Sequence, residues 1–184
     1  MELDDGRGPQ AGRRRQPPPQ PEAPPGPRIA EPPLTIEDLD VYELNGDGHT
    51  ICRHCDTTPG ADAVRLAENP WLVATGSFLS VAVAQDAVQG CVDANRDDVV
   101  AWRHGDEGRR VIVHDTGAVI GDVLRRQDWL AGNVTPVPAT AVLVVLRRNP
   151  SYPSGFAVRT AYPVRTDRPA TIRPVRIPLE EHTP

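Results

Sequence analysis

The distribution of proline limits where this chain can fold. The sequence has 21 prolines in 184 residues, crowded towards both ends and sparse in the middle. Proline fixes φ and lacks a backbone N–H, so dense proline favours extended polyproline II segments. The early stretch RRRQPPPQPEAPPGPRIAEPP also has almost no apolar side chains to bury. We therefore predict a disordered proline-rich N-terminal segment over residues 1–45, one folded domain over residues 46–163 and a proline-rich C-terminal tail over residues 164–184.

A short transition precedes the predicted domain. Residues 35–47 read TIEDLDVYELNGD, in which apolar residues recur among acidic ones, at Ile36, Leu39, Val41, Tyr42 and Leu44. We expect these side chains to pack a short turn or strand against the edge of the domain.

Hydrophobic periodicity predicts helices in the first half of the domain and strands in the second. Pro59 suits the first turn of a helix over residues 59–68, and Asn69-Pro70 ends it. A second helix follows, capped by Ser77 or Ser80, because apolar residues form a helical stripe from Val81 to Val92. The pattern then alternates, which predicts strands over residues 109–115, 118–126, 140–149 and 156–162. Helices followed by an antiparallel meander define an α+β fold with helices packed on a sheet.

The charge balance counts against a large nucleic-acid surface and leaves a small one open. The formal net charge is −5, whereas nucleic-acid binders usually carry a basic excess. Part of the acid lies outside the predicted domain, and a catalytic RNA site needs only local positive charge. The sequence has no lysine, so arginine supplies the permanent cationic side chains.

The three cysteines, Cys52, Cys55 and Cys91, do not form the even, spaced set of a disulfide framework. We expect free thiols. The CxxC pair between His49 and His54 also suggests half of a zinc site, although no second CxxC or HxxxH follows it. A zinc-stapled interaction module therefore stays open as an alternative.

No segment reaches the length of a membrane-spanning helix. The first twenty residues also lack the apolar region of a signal peptide. We expect a cytoplasmic protein, or one exported by a route that does not read an N-terminal signal.

Two of the five histidines lie where proton transfer is plausible. His49 and His54 flank a short segment before the first helix, rather than standing inside an apolar face. Cleavage of RNA by its own 2′-OH needs a base, an acid, a cation or hydrogen-bond donor for the phosphorane, and a surface that holds the nucleobase. One histidine, one arginine and hydroxyl donors can supply these groups without a metal or cofactor.

Three motifs resemble a known family. GHTICRHC (48–55) is similar to the opening of the bacterial RNase A-like toxin domains at the C-terminus of CdiA, the contact-dependent growth inhibition protein, and of related polymorphic toxins. The segment from WLVATGSF (71–78) to the AW pair at 101–102 is similar to that family's helical region. AVLVVLRRNPSYPSGFAVRTAYP (141–163) resembles its terminal hairpin. The resemblance covers nearly all of the predicted domain and implies an RNase A-like fold.

The resemblance also implies a site. The family combines a histidine from the opening, an arginine eleven positions later, and a threonine and tyrosine from the final strand. The matching positions are His54, Arg65, Thr160 and Tyr162, and the spacing fits His54 rather than His49. His54 would be the general acid/base, Arg65 would stabilise the phosphate, and Thr160 and Tyr162 would donate hydrogen bonds to phosphate or base. No metal or cofactor is implied.

The function implied is a metal-independent endoribonuclease toxin acting in the cytoplasm of a competing cell after delivery by a dedicated system. Its expected partners are RNA, with tRNA as one candidate, and a cognate immunity protein; no membrane segment is expected. One residue departs from the family: Thr57 stands where a lysine is usual, beside Asp56, so activity is expected to be weakened unless Arg53 substitutes. A catalytically degenerate copy that binds RNA or protein is the alternative to an active enzyme.

Overall fold

The computed structural model describes residues 34–166. Six helices and six strands lie in this part of the chain, and the helices come mostly before the strands. The helices are α1 Leu39–Leu44, α2 Thr50–His54, α3 Pro59–Glu68, α4 Val81–Ala94, α5 Arg96–His104 and α6 Arg126–Leu130. The strands are β1 Ala74–Phe78, β2 Arg109–Asp115, β3 Gly121–Arg125, β4 Val137–Ala139, β5 Ala141–Arg148 and β6 Phe156–Val164.

The strands form two three-stranded antiparallel sheets. The first has the order β1-β3-β4 and the second the order β2-β5-β6. The predicted α+β class with helices beside antiparallel strands is therefore confirmed. One detail differs from a simple meander: β3 pairs with β1 and β4 rather than with β2, because the turn after β2 carries the chain into the first sheet.

Two glycines let the end of β6 approach the first sheet closely. A Cβ atom on Gly76 of β1 would stand 2.9 Å from the carbonyl oxygen of Pro163, and one on Gly121 of β3 would stand 2.6 Å from the Pro163 ring. Such distances leave no room for a side chain. The two glycines therefore bring β1, β3 and β6 together at the place where the candidate site is found.

The main core lies between the helices and the inner face of the second sheet. The α4 stripe is fully buried at Val88, Cys91 and Val92 and belongs to the same apolar cluster as Ile112 of β2 and Val144 of β5. Ser80 accepts a hydrogen bond from the backbone N–H of Val83 and so caps α4, as expected for serine at that position.

The N-terminal boundary predicted at residue 46 is corrected by this core. Leu34, Ile36, Leu39 and Tyr42 are all buried, and α1 occupies residues assigned above to the disordered segment. Gln89 of α4 accepts a hydrogen bond from the backbone N–H of Ile36 at 3.0 Å. Apolar side chains spaced through this stretch gain more by packing on α4 than they lose in chain entropy. The predicted disorder of residues 1–33 and most of the predicted tail lie outside the described residues.

Elsewhere in the domain, most predicted helices and strands are confirmed and two segments differ from the structure. The helices over residues 59–68 and after Ser80 are confirmed, as are the strands that became β2, β5 and β6. Residues within the segment 71–78 form β1, a strand outside those predicted above, and the strand predicted over 118–126 starts only at Gly121. None of the helices between residues 34 and 166 combines the length and hydropathy needed to cross a bilayer.

Candidate active site

His54 ends the short helix α2 and is buried between β1 and β6, with 6% of its surface exposed. Its Nδ1 lies 3.0 Å from the carbonyl oxygen of Gly76. A carbonyl only accepts hydrogen bonds, so Nδ1 must carry a proton. In the neutral ring the lone pair is then on Nε2, which is the form that can accept a proton.

Burial is the main cause that lowers the pKa of His54 to about 3. The hydrogen bond to Gly76 opposes this shift, and the cations of Arg65 and Arg53 contribute to it. Near neutral pH the ring of the free protein is therefore uncharged. A base must be unprotonated when it meets its substrate, so the environment favours the accepting role over the donating one.

The start of α2 is held against the free edge of β6. The backbone N–H of His49 donates to the carbonyl of Arg159 at 3.2 Å, and the backbone N–H of Ala161 donates to the hydroxyl of Thr50 at 3.0 Å. An edge strand presents unpaired backbone groups, and α2 satisfies two of them. These two bonds fix α2 relative to β6 and so bring His54 alongside the last strand.

A β-bulge in β6 decides which way the candidate hydroxyl groups face. Val158 pairs with Leu146 and Thr160 pairs with Val145, so Arg159 is an extra residue without a partner on β5. Val158 belongs to the core. Strict alternation would therefore turn Thr160 inward as well, but the inserted residue reverses the phase and places Thr160 on the opposite face.

Tyr162 and Thr160 share that outer face of β6. The ring of Tyr162 lies 5.2 Å from the ring of His54, tilted by 35°. Burial raises the pKa of Tyr162, while the nearby Arg109 and Arg65 lower it, so the phenol stays protonated and can donate. The hydroxyl oxygen of Thr160 is buried and, among residues 34–166, has no hydrogen-bond partner. An unmade hydrogen bond of this kind is costly, and a ligand can relieve it.

Arg65 projects from α3 towards the end of α2. Its Nη1 donates to the carbonyl of Arg53 at 2.9 Å, and its charge influences both His54 and Tyr162. The start of α3 is fixed by Thr58, whose side chain accepts from the backbone N–H of Ala61 at 3.2 Å. The structure thus brings His54, Arg65 and Tyr162 together and places Thr160 on the same face as Tyr162.

His49 belongs to the same neighbourhood, although the spacing argument set it aside. It lies close enough to His54 for its charge to lower the pKa of that ring. Burial lowers the pKa of His49 to about 4, helped by the cations of Arg159, Arg53 and Arg65 and opposed by Glu43. The two imidazoles lie at the two ends of α2, a helix of five residues with His49 as its N-cap and His54 as its last residue. That proximity is the signal that could have kept His49 among the candidates.

The zinc alternative gains no support from the cysteines. Cys55 is buried in the apolar core, Cys52 is exposed, and both are free thiols, as is the buried Cys91. Between residues 34 and 166 no group of three or more His, Cys, Asp or Glu side chains is arranged to hold a metal ion.

Residues 56 and 57, which depart from the family pattern, are structural in part. The hydroxyl of Thr57 donates to Asp62 of α3 at 3.3 Å, and its backbone N–H donates to Ser77 of β1 at 3.3 Å. Asp56 has a positive φ of 56°, a conformation that glycine adopts most easily. The loop after His54 therefore links α2, α3 and β1.

Comparison with known proteins agrees with this architecture. Residues 48–163 match the family described as the bacterial CdiA-CT RNAse A domain. Among solved structures, the crystal structure of a CdiA-CT/CdiI complex from Y. kristensenii 33638 superposes with a TM-score of 0.56 at 23% identity, over 64% of this chain and 99% of that one. No curated protein matches the sequence. Because the family match spans more than half of the chain, the protein belongs to the bacterial CdiA-CT RNase A domain family.

Proposed function

We propose that this domain is an RNA-cleaving toxin that works by transesterification without a metal, with His54, Arg65, Thr160 and Tyr162 as its site. The observation that carries the proposal is the placement of a neutral, buried imidazole beside a phenol, with a guanidinium close to both. Membership of a ribonuclease family supports the general activity. The assignment of roles to these four residues is our inference.

In this mechanism Nε2 of His54 accepts the proton of the ribose 2′-OH. The 2′-oxygen then bonds to phosphorus, and the bond from phosphorus to the 5′-oxygen breaks. The protonated Nε2 of His54 then gives this proton to the leaving 5′-oxygen, and the products are a 2′,3′-cyclic phosphate and a 5′-hydroxyl. Arg65 stabilises the charge that develops on the phosphate oxygens, since a positioned cation in a site shielded from water acts most strongly in the transition state.

The two hydroxyl groups have complementary tasks. Thr160 has a buried hydroxyl without a partner among the described residues, so it is available for a hydrogen bond to a phosphate or nucleobase. Tyr162 remains protonated because burial raises its pKa, so it donates a hydrogen bond and also offers an aromatic surface. The reaction as written needs no metal, because proton acceptor, cation and donors all come from side chains.

The experiment is an RNase assay in excess EDTA with matched histidine variants. His54→Gln should lower kcat by about 10²- to 10⁴-fold, the usual contribution of a general base. His104→Gln, a change at an exposed histidine on the end of α5, should cleave like wild type. Arg65→Ala should lower kcat by about 10²-fold or more. Equal activity of wild type and His54→Gln would refute the assignment, and loss of wild-type activity in EDTA would refute metal independence.

We further propose a cognate immunity protein as partner and the cytoplasm of a competing cell as the place of action. The similar solved structure is a complex of CdiA-CT with CdiI, which motivates the first point. Expression of the domain in a naive host should arrest growth and degrade RNA, with tRNA examined separately on the gel. Co-expression of the neighbouring open reading frame should restore growth if that frame encodes the immunity protein.

The same assays separate an active toxin from a degenerate copy. Thr57 stands where the family usually has lysine, and its hydroxyl is engaged with Asp62, so it adds no cation to the site. RNA binding without cleavage by wild type would favour the degenerate copy. Cleavage that depends on His54 would exclude it.

A further inference from the structure

The outer face of the second sheet carries three rows of side chains that lead away from the candidate site. Paired residues on adjacent antiparallel strands point to the same face. The first row is Val113, Leu143 and Tyr162, and the second is Val111, Val145 and Thr160. The third row contains Arg109 of β2 directly opposite Arg147 of β5. Residues two apart on a strand are about 7 Å apart, so the arginine row lies one step beyond Thr160.

The arginine pair is electrostatically unfavourable as it stands. Like charges directly opposite each other destabilise an antiparallel pair, and both side chains are exposed. Within residues 34–166 neither Arg109 nor Arg147 has a carboxylate partner. By contrast, Arg110, which points to the other face, pairs with Asp98 and Glu107.

The arginine row is electrostatically continuous with the candidate site. Among the cationic side chains, Arg109 has the largest effect on Tyr162 and lowers the pKa of its phenol. The apolar surface of the first two rows comes from Val111, which is 40% exposed, and from the partly exposed Val113 and Leu143. Val145 and Thr160, in the second row, are buried. The strip thus consists of an aromatic ring, aliphatic side chains and then two guanidinium groups.

We propose that this strip binds the single-stranded RNA that flanks the cleaved bond, with Arg109 and Arg147 on a neighbouring phosphate. The nucleotide next to the scissile phosphate rests on Val111, Val113 and Leu143, and the guanidinium pair holds the following phosphate. Apolar or aromatic surface beside cations is the usual means of binding single strands without sequence readout. A phosphate between the two guanidinium groups also removes their mutual repulsion. The inference rests on the proposed function, since it extends the same site.

The experiment measures binding of a fluorescent 2′-O-methyl oligoribonucleotide, which cannot be cleaved, to the purified domain at several salt concentrations. The double variant Arg109→Ala with Arg147→Ala should bind about tenfold more weakly, the low end for lost charge-assisted contacts. Its slope of log K against log salt should be less negative by about 0.7, because the guanidinium pair holds one phosphate and each lost phosphate contact on a single strand contributes about 0.7. The double variant Arg109→Lys with Arg147→Lys should recover the salt slope of wild type. Circular dichroism should show that each variant is folded.

Arg96→Ala, at the start of α5, is the control for a simple loss of positive charge. It should change the affinity by less than either single variant, Arg109→Ala or Arg147→Ala. Oligonucleotides lengthened one nucleotide at a time should show the double variant's defect only once the chain is long enough to reach the arginine row.

Binding and cleavage are read separately, so the two proposals fail independently. If wild type does not cleave RNA but the double variant still loses affinity, the proposed catalysis is wrong and the RNA-binding strip stands. An unchanged isotherm and salt slope in the double variant would overturn the strip. So would unchanged RNA binding together with weaker binding of the immunity protein, which would assign this face to protein recognition.

Discussion

Replacing His54 by glutamine should change how the stability of the fold responds to acid. The unfolded chain binds a proton on this ring with a pKa near 6.5, whereas burial holds the pKa in the folded protein at about 3. The pKa of His54 is lower in the folded protein than in the unfolded chain. At pH values above the unfolded pKa, the ring therefore does not lower the free energy of unfolding. The free energy of unfolding falls as the pH falls from 6.5 towards 3, because the ring binds a proton in the unfolded state and not in the folded state.

The size of this effect follows from the two pKa values. Between about pH 7 and pH 5 linkage gives a loss of about 2 kcal/mol from His54 alone, with a slope of about 1.3 kcal/mol per pH unit at the lower end. His54→Gln removes that contribution, so its free energy of unfolding should fall less steeply than that of wild type over the same range. His49 also titrates with a lowered pKa, but it is present in both proteins and its effect largely cancels.

Urea titrations across this pH range measure the difference. Ile112→Val is the control, since shortening a core side chain costs about 0.5–1.5 kcal/mol and removes no titrating group. It should lower the free energy of unfolding equally at each pH and keep the wild-type slope. Identical slopes for wild type and His54→Gln would show that the ring is solvated in the folded protein, which contradicts its burial between β1 and β6.

Three further changes test the backbone around the site and the helices. In urea titrations, the free energy of unfolding of Asp56→Ala should be about 1 kcal/mol lower than that of Asp56→Gly, because a positive φ is unfavourable for alanine and not for glycine. Gly121→Ala should lower Tm sharply, since its Cβ would clash with the backbone oxygen of Ser77. By contrast, the Cβ of Gly90→Ala within α4 meets nothing within 4 Å, and this change should raise stability by about 1 kcal/mol. Arg126→Ala should cost about 2 kcal/mol in urea, because its guanidinium bonds three backbone carbonyls beside the end of α3.

Local signals were enough to predict most of the regular elements. Proline at position 59 and serine at position 80 mark helix starts by satisfying or avoiding free backbone N–H groups, and both helices begin there. The continuous apolar run of β5 predicts a central strand, and it lies between β2 and β6. These features depend on a few neighbouring residues, so a single sequence is sufficient to show them.

Features set by distant partners were not predictable in the same way. The burial of Leu34 and Ile36 depends on α4, more than forty residues later, whose Gln89 binds their backbone. The separation of the strands into two sheets depends on the pairing of β3 with β1. Neither partner is indicated by the residues on either side of the segment, so the N-terminal boundary and the sheet order had to come from the structure.

The bulge at Arg159 shows the same limit at the site itself. Spacing alone predicts that Thr160 and Tyr162 share a face, but it does not say which one, and the buried Phe156 and Val158 would suggest the core. Arg159 shifts the register by one residue, so the hydroxyl groups turn away from the core. Arg159, which has no partner on β5, therefore determines whether Thr160 and Tyr162 pack into the core or face the candidate site.

Net charge does not describe the local electrostatics of the candidate site. The chain is acidic overall at −5, yet Arg53 and Arg65 act on both imidazoles and Arg159 acts on His49. Burial is the main reason that both rings are neutral in the free protein, and the arginine charges lower the pKa of the rings further. Under the proposed function, an arriving phosphate would oppose the arginine charges and make protonation of the imidazoles easier. Binding and proton transfer would then be coupled through the same few cations, whose effect is short-ranged.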